Sequence, residues 1–421
     1  MSRASSEANI SFFRQSGWMM ISTVAGGAFM WAVHFLSKAI PEREYGDFGA
    51  FLAVVMVLPA IPVQMLFAQQ TARALAEGKP GQISRLLRSV VLGTVALWAM
   101  VAVVALLFQQ NILAMWKVSN PAGLWLTIPI LLLSLLLPMF WGVLQGAQNF
   151  LWLGWSLVLN SFVRLAAAAF AVLALGAYAP GMLGGVLVGL LCALGLAAYQ
   201  ARGFWIEKPS PFNWRDFSPQ VVPLLLGFAG FQILFTTDTM FVKACFSQDE
   251  AGFYVSAGTL SRALMWLVLP LASVMFPRLV QSAVKSEKTN LTGLVLLGTF
   301  LLSAGGALGL AIFGPFIIRL VFKSSYVDTA SALLPWYAAV MIPLALGNVL
   351  LNQLMARPAA RRALSFCILL VAAAYLLLLA RHHDTPFTVL RIMGLCNVAF
   401  LLVCGLFAWR DRKAGHSMPN R

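Results

Sequence analysis

The chain has 421 residues, of which 60% are hydrophobic and 10% charged, with a mean hydropathy of +0.84. Soluble domains carry about 25% charged residues, so this composition excludes an ordinary globular enzyme and points to a chain dissolved in a bilayer. Its formal net charge of +15 comes from 29 basic and 14 acidic residues. That excess fits cytoplasmic loop anchoring rather than nucleic-acid binding, because no soluble basic domain is present.

Apolar runs long enough to cross a membrane fall at about 15–37, 48–70, 86–109, 121–144, 154–176, 180–200, 219–245, 251–276, 291–313, 329–355, 363–380 and 386–409. A hydrocarbon core needs about 20 such residues per helix, and the runs lack the two-residue alternation of a membrane β-barrel. The predicted fold class is therefore an all-α membrane protein of twelve transmembrane helices. The acidic residues of Ile40–Phe51 help to separate the first two spans, and the prolines and charges of Lys208–Asp216 separate the sixth from the seventh.

One set of helix ends carries nineteen Lys and Arg residues and the opposite set seven, which places both termini in the cytoplasm by the positive-inside rule. The longest connector divides six helices from six, giving an N-terminal lobe (1–200), a linker (201–218), a C-terminal lobe (219–409) and a tail (410–421). The text K-A-I-P-E-R-E-Y-G-D-F after helix one recurs as K-A-C-F-S-Q-D-E-A-G-F-Y after helix seven, about 206 positions on. Six helices per half is an even number. The repeat is therefore expected to be parallel, a pseudo-two-fold along the membrane normal with a central cavity at the repeat interface.

Charges inside spans are costly, about 2.5–3.5 kcal/mol for a central arginine on insertion scales, and they normally face protein or water. Arg262 shares a helical face with Tyr254, Gly258, Thr259 and Met265, opposite Phe253, Leu260, Leu264, Leu267 and Leu271. Arg164 on helix five lies beside Asn160 and Ser161, with Trp155, Phe162 and Leu173 behind. Asp238 in F-T-T-D-T-M-F-V is the acid placed clearly within a span, within reach of Arg262 on the next helix. Two readings follow: a structural ion pair, or an acid that binds a proton or cation and releases Arg262 for an anionic substrate. His34 and Lys38 are expected on one face near the outer end of helix one, where His34 reads equally as a packing residue. Arg391, near the outer end of helix twelve, is placed to snorkel to the interface.

Other features are read as structural. G-M-L-G-G-V-L-V-G in helix six holds two overlapping G-x-x-x-G spacings that favour close helix packing. Pro59, Pro62, Pro129, Pro138, Pro223, Pro270 and Pro343 should kink spans. The five cysteines, in or beside apolar runs, read as small buried residues, and His382-His383-Asp384 as a solvated loop without metal. Neither a phosphate-binding G-x-x-x-x-G-K-[ST] loop nor a hydrolase motif is present, so transport is favoured over ATP-driven pumping or catalysis.

With L-S-K-A-I-P-E-R-E-Y-G-D-F-G-A, L-Q-G-A-Q-N-F, T-T-D-T-M-F-V-K, E-A-G-F-Y-V-S-A-G-T-L-S-R and V-M-F-P-R-L on the page, the chain resembles the polysaccharide and oligosaccharide-lipid (Wzx-type) flippases. These belong to the multidrug/oligosaccharidyl-lipid/polysaccharide exporter superfamily. The resemblance implies a V-shaped pair of six-helix lobes in the bacterial inner membrane. It implies alternating-access movement of an undecaprenyl-diphosphate-linked oligosaccharide for O-antigen, capsule or exopolysaccharide synthesis. It further implies no cofactor but coupling to an H+ or Na+ gradient. Membrane lipids, a polysaccharide polymerase and glycosyltransferases are the implied partners. On this reading Arg262 and Arg164 clamp the diphosphate, His34, Lys38 and Arg391 contribute from the outer side, and Asp238 is the counter-ion or coupling acid. The alternative is a cation-coupled multidrug or toxic-compound exporter, weakened by the lack of an acid in helix one. An integral-membrane transferase stands third.

Overall fold

The computed structural model describes residues 2–118, 120–265, 291–355 and 361–416. Within them the regular secondary structure is all helix, as a bilayer demands: with no water to satisfy peptide groups, each span must close its own hydrogen bonds. The helices are α1 (Ser2–Ala32), α2 (Glu42–Met56), α3 (Ala60–Ala76), α4 (Gly81–Leu107), α5 (Gln109–Met115), α6 (Ala122–Gly146), α7 (Phe150–Leu173) and α8 (Tyr178–Gln200). They continue with α9 (Arg202–Trp205), α10 (Trp214–Cys245), α11 (248–265), α12 (Leu291–Val321), α13 (Val327–Met355), α14 (Arg361–Arg381) and α15 (Pro386–His416).

Eleven segments among the described residues are long and apolar enough to cross a membrane, the second running Glu42–Ala76 through α2 and α3. The expected eighth span, 251–276, is helical to residue 265; its remainder, with Pro270, Leu267 and Leu271, lies outside the described residues. The protein is thus a multi-pass, all-helical membrane protein of the class read from the sequence. Large apolar side chains on α4 (Leu92, Leu97, Met100, Val103) and α12 (Leu301, Leu308, Phe316) are exposed, as lipid-facing surfaces are.

The chain divides into two compact units, Met1–Val221 and Val222–Arg421. In the first, α7 packs against α1 and α8, and α6 against α3 and α8. The double glycine spacing of α8 makes the α7 contact: a Cβ at Gly185 would sit 2.6 Å from the Arg164 carbonyl, and one at Gly189 2.5 Å from that of Asn160. In the second unit α13 packs on α12 and α15, and α14 on α15. There Ser365 on α14 donates to the Pro223 carbonyl of α10 at 2.5 Å.

Several sequence expectations change. The second helix begins at Glu42, not near residue 48, with Glu42 and Glu44 in its first turn, where carboxylates meet the positive end of the helix dipole. Asp47, taken as part of an acidic loop, is therefore a buried residue of α2. Pro59 does more than kink: α2 ends at Met56 and α3 starts at Ala60, because proline has no N–H to carry the ladder through. Pro129 and Pro138 in α6 and Pro343 in α13, by contrast, sit within continuous helices. Cys396 and Cys404 are buried, but Cys192 and Cys245 are exposed, since an apolar thiol is as soluble in lipid as in a core.

The recurring text folds into related helix starts with different caps. Ser247 and Glu250 form a reciprocal capping box, Ser247 N–H donating to Glu250 Oε2 at 3.1 Å and Glu250 N–H to Ser247 Oγ at 3.3 Å. Its counterpart Glu44 instead reaches across to α8, accepting from the Ala179 N–H at 3.2 Å.

Candidate functional site

Each unit holds a buried polar cluster among its apolar helices. In the second, α10 carries Asp238 with its carboxylate fully buried, and α11 carries Arg262 one helix away. Arg262 Nη2 donates to Asp238 Oδ1 at 2.8 Å and Oδ2 at 2.9 Å, and to Thr239 Oγ1 at 2.8 Å. Its Nε donates to the Phe235 carbonyl at 3.0 Å. Asp238 Oδ2 also accepts from the hydroxyls of Tyr254, at 3.0 Å, and Tyr337. The guanidinium carbon stands 5.6 Å from the Phe235 ring centroid and 5.4 Å from that of Tyr337, within cation–π range. Gly258 leaves room for this, since a Cβ there would come within 3.0 Å of the Tyr337 hydroxyl and 3.1 Å of the guanidinium. The buried Tyr375 hydroxyl is left without a hydrogen-bond partner among the described residues.

The cluster in the first unit is built differently. Arg164, Asn160 and Ser161 are all buried on α7, and Trp155, Phe162 and Leu173 on its other side are exposed, the division read from the helical periodicity. Arg164 Nε has no acceptor, and no acid pairs with the residue, among the described residues. His34 Nδ1 is 2.8 Å from the Tyr45 hydroxyl of α2, and its ring meets those of Tyr45 and Phe48 at 6.1 and 6.2 Å.

His34 and Lys38 do not share a face. Residues Val33–Ala39 tighten into a 3-10 helix, whose threefold turn sets positions i and i+4 about 120° apart. His34 is accordingly half-buried and Lys38 exposed. Arg391 is exposed in the second turn of α15 and joins neither cluster. The residues that sequence reading left out of the cluster are Tyr337, Thr239 and Tyr45. Thr239 adjoins Asp238 in the quoted motif, whereas Tyr337 arrives from α13, 99 positions away, with no local signal.

The family model for polysaccharide biosynthesis protein matches residues 11–283, more than half of the chain. The chain belongs to that family. No curated protein matches this member of it. Among solved structures it is similar to the lipid II flippase MurJ in an inward closed conformation, with 14% identity, a TM-score of 0.69, and 94% of this chain and 87% of that chain covered. An inward-facing multidrug resistance MATE family transporter of the MOP superfamily matches with 11% identity and a TM-score of 0.66, over 96% of this chain and all of that one. A MATE protein in complex with MaD5 matches at 13% identity and a TM-score of 0.64, over 96% of each chain. At these identities the likeness establishes that this polysaccharide biosynthesis protein has the fold of those transporters.

Proposed function

We propose that this polysaccharide biosynthesis protein is a flippase that carries a polyprenyl-diphosphate-linked oligosaccharide across the bacterial inner membrane, with both termini cytoplasmic and the two halves as its working lobes. The observation that carries the reading is Arg164: a guanidinium buried at a helix packing seam with an unbonded Nε and no acidic partner among the described residues. Burying a charge without compensation is expensive, so a chain that keeps one has use for an anion there. A diphosphate suits it, because a guanidinium fork grips phosphate oxygens in a bidentate, charge-assisted way.

Arg262 takes a second role in this scheme. Its bonds to Asp238 and Thr239 occupy the guanidinium, so it is a locked cation. Protonation of Asp238 removes the charge that holds it and leaves the guanidinium available to an anionic group of the substrate. A proton gradient thereby gains a handle on the cycle without any cofactor. Glycosyltransferases would act before the step and a polymerase after it.

The test is complementation of a deletion strain. Arg164→Ala at normal membrane abundance should abolish surface glycan and leave the lipid-linked intermediate on the cytoplasmic leaflet, with drug susceptibility unchanged. Normal glycan display at normal abundance overturns the assignment.

A further inference from the structure

Resting on the flippase reading, we infer that the first unit carries a docking site for a neutral sugar ring of the glycan, outside the membrane-embedded clusters, where the α3–α4 turn meets the linker after α9. A cavity of about 250 Å³ lies there, lined on the helix side by Gln70, Arg73, Glu77, Lys79 and Gln82, and closed by Phe212, Asn213 and Phe217 of the linker and α10. A second cavity of about 370 Å³, bordered by Arg85, Ser210 and Trp214, shares Phe212 as a wall. Both are at the small end of, or below, the ~300–1,000 Å³ of drug-sized sites, which suits single rings of a chain more than a bulky ligand.

The wall is a built one. Ser84 Oγ donates to the Glu207 carbonyl at 2.7 Å, and Arg88 Nε to that of Trp205 at 2.9 Å. The Ser210 N–H donates to the Gly81 carbonyl at 3.0 Å. Gly81 is required by this contact, since a Cβ would come within 2.5 Å of the Lys208 carbonyl. The linker is thus strapped to the turn by its backbone, and the aromatic side chains beyond it are held over the cavity. Phe212 is fixed edge-on by Trp214 and Phe217, with centroids 4.9 and 5.2 Å away.

The chemistry of the lining selects the ligand. Glu77 is bonded to Arg73 at 2.8 Å and lies 3.5 Å from Lys79, so its single charge offsets one of the two cations. That weakens the pull on a free anion. What remains is a carboxylate that accepts, cations that donate, and the Gln70 and Gln82 amides, which do both. No hydrogen bond holds either amide among the described residues. Hydroxyl groups likewise donate and accept, and the C–H faces of a pyranose are apolar enough to rest on phenyl rings. This combination fits a polyhydroxylated, uncharged ring. The cavity is at the end rich in basic residues, which the flippase reading puts in the cytoplasm, where the glycan is assembled.

The test uses the full-length protein in phosphatidylcholine nanodiscs and saturation-transfer NMR with galactose, glucose, N-acetylglucosamine and rhamnose as probes. At least one sugar should receive saturation. The signal should fall at least threefold in Gln70→Leu/Gln82→Leu and in Phe212→Ala, and persist in Phe212→Trp and in Arg164→Ala. Transfer to none of the sugars, or transfer that survives in both damaging variants, overturns the inference. So does loss of the sugar signal on changing the lipid to phosphatidylglycerol, which would assign the cavity to an anionic headgroup. The flippase reading is judged separately by glycan display in the Arg164→Ala strain, so the sugar site can fail while that reading stands.

Discussion

Replacing Asp238 by Asn tests whether the second cluster is a lock. The substitution keeps the shape but removes the charge that faces Arg262, whose side chain is 12% exposed against a carboxylate at 0%. Breaking a buried pair on one side typically costs about 3–5 kcal/mol, because the other charge stays behind uncompensated. Arg262 keeps its bonds to Thr239 and the Phe235 carbonyl, which puts the expected loss toward the lower end, at about 3 kcal/mol. Arg262→Met should cost a similar amount, by stranding the carboxylate. The double variant Asp238→Asn/Arg262→Met strands neither charge, so it should lose less than the sum of the singles by at least ~2 kcal/mol. Reversible SDS unfolding followed by circular dichroism reads all four proteins. Additivity of the two singles to within ~0.5 kcal/mol would show that the contact carries no coupling, and the lock would be lost with it. If the lock acts in transport, the double variant regains stability but not glycan display.

Three more outcomes are expected. Arg164→Met should lose glycan display yet leave the fold at least as stable as the parent, because it removes a buried cation that has no acidic partner among the described residues; a destabilisation of the size expected for Arg262 in the same assay would reveal a hidden partner. Gly189→Ala should destabilise by about 1–3 kcal/mol through overpacking and also lower transport, since the new Cβ would lie 3.0 Å from that of Arg164; normal values of both would place the α7–α8 seam elsewhere. The Arg73 side chain, donating to Glu77, holds that carboxyl below its ordinary value. Whatever this pair contributes is present above the ordinary carboxylate range and lost as pH falls through the lowered value. Both groups are solvated, so thermal melts of Glu77→Gln should overlay the parent on both sides of that range.

Hydropathy alone settled that the chain crosses a membrane many times, and helical periodicity settled which side of α7 hides Arg164. Both are properties of one helix at a time, so the residues suffice. Spacing also pointed to the Asp238–Arg262 meeting, because the two are on consecutive helices joined by a short turn. The rest was decided in three dimensions. Tyr337 completes the Asp238 cage from a helix 99 positions away, and no local pattern encodes a contact of that range. His34 and Lys38 part company because the last turn of the first span tightens to a 3-10 helix, a change of pitch that composition does not report. The difference between the two arginines is likewise tertiary. Sequence put an acid within reach of Arg262 alone, but how fully each arginine is bonded is set by helix packing: in the fold Arg262 is bonded on several sides, while Arg164 keeps an unbonded Nε among the described residues.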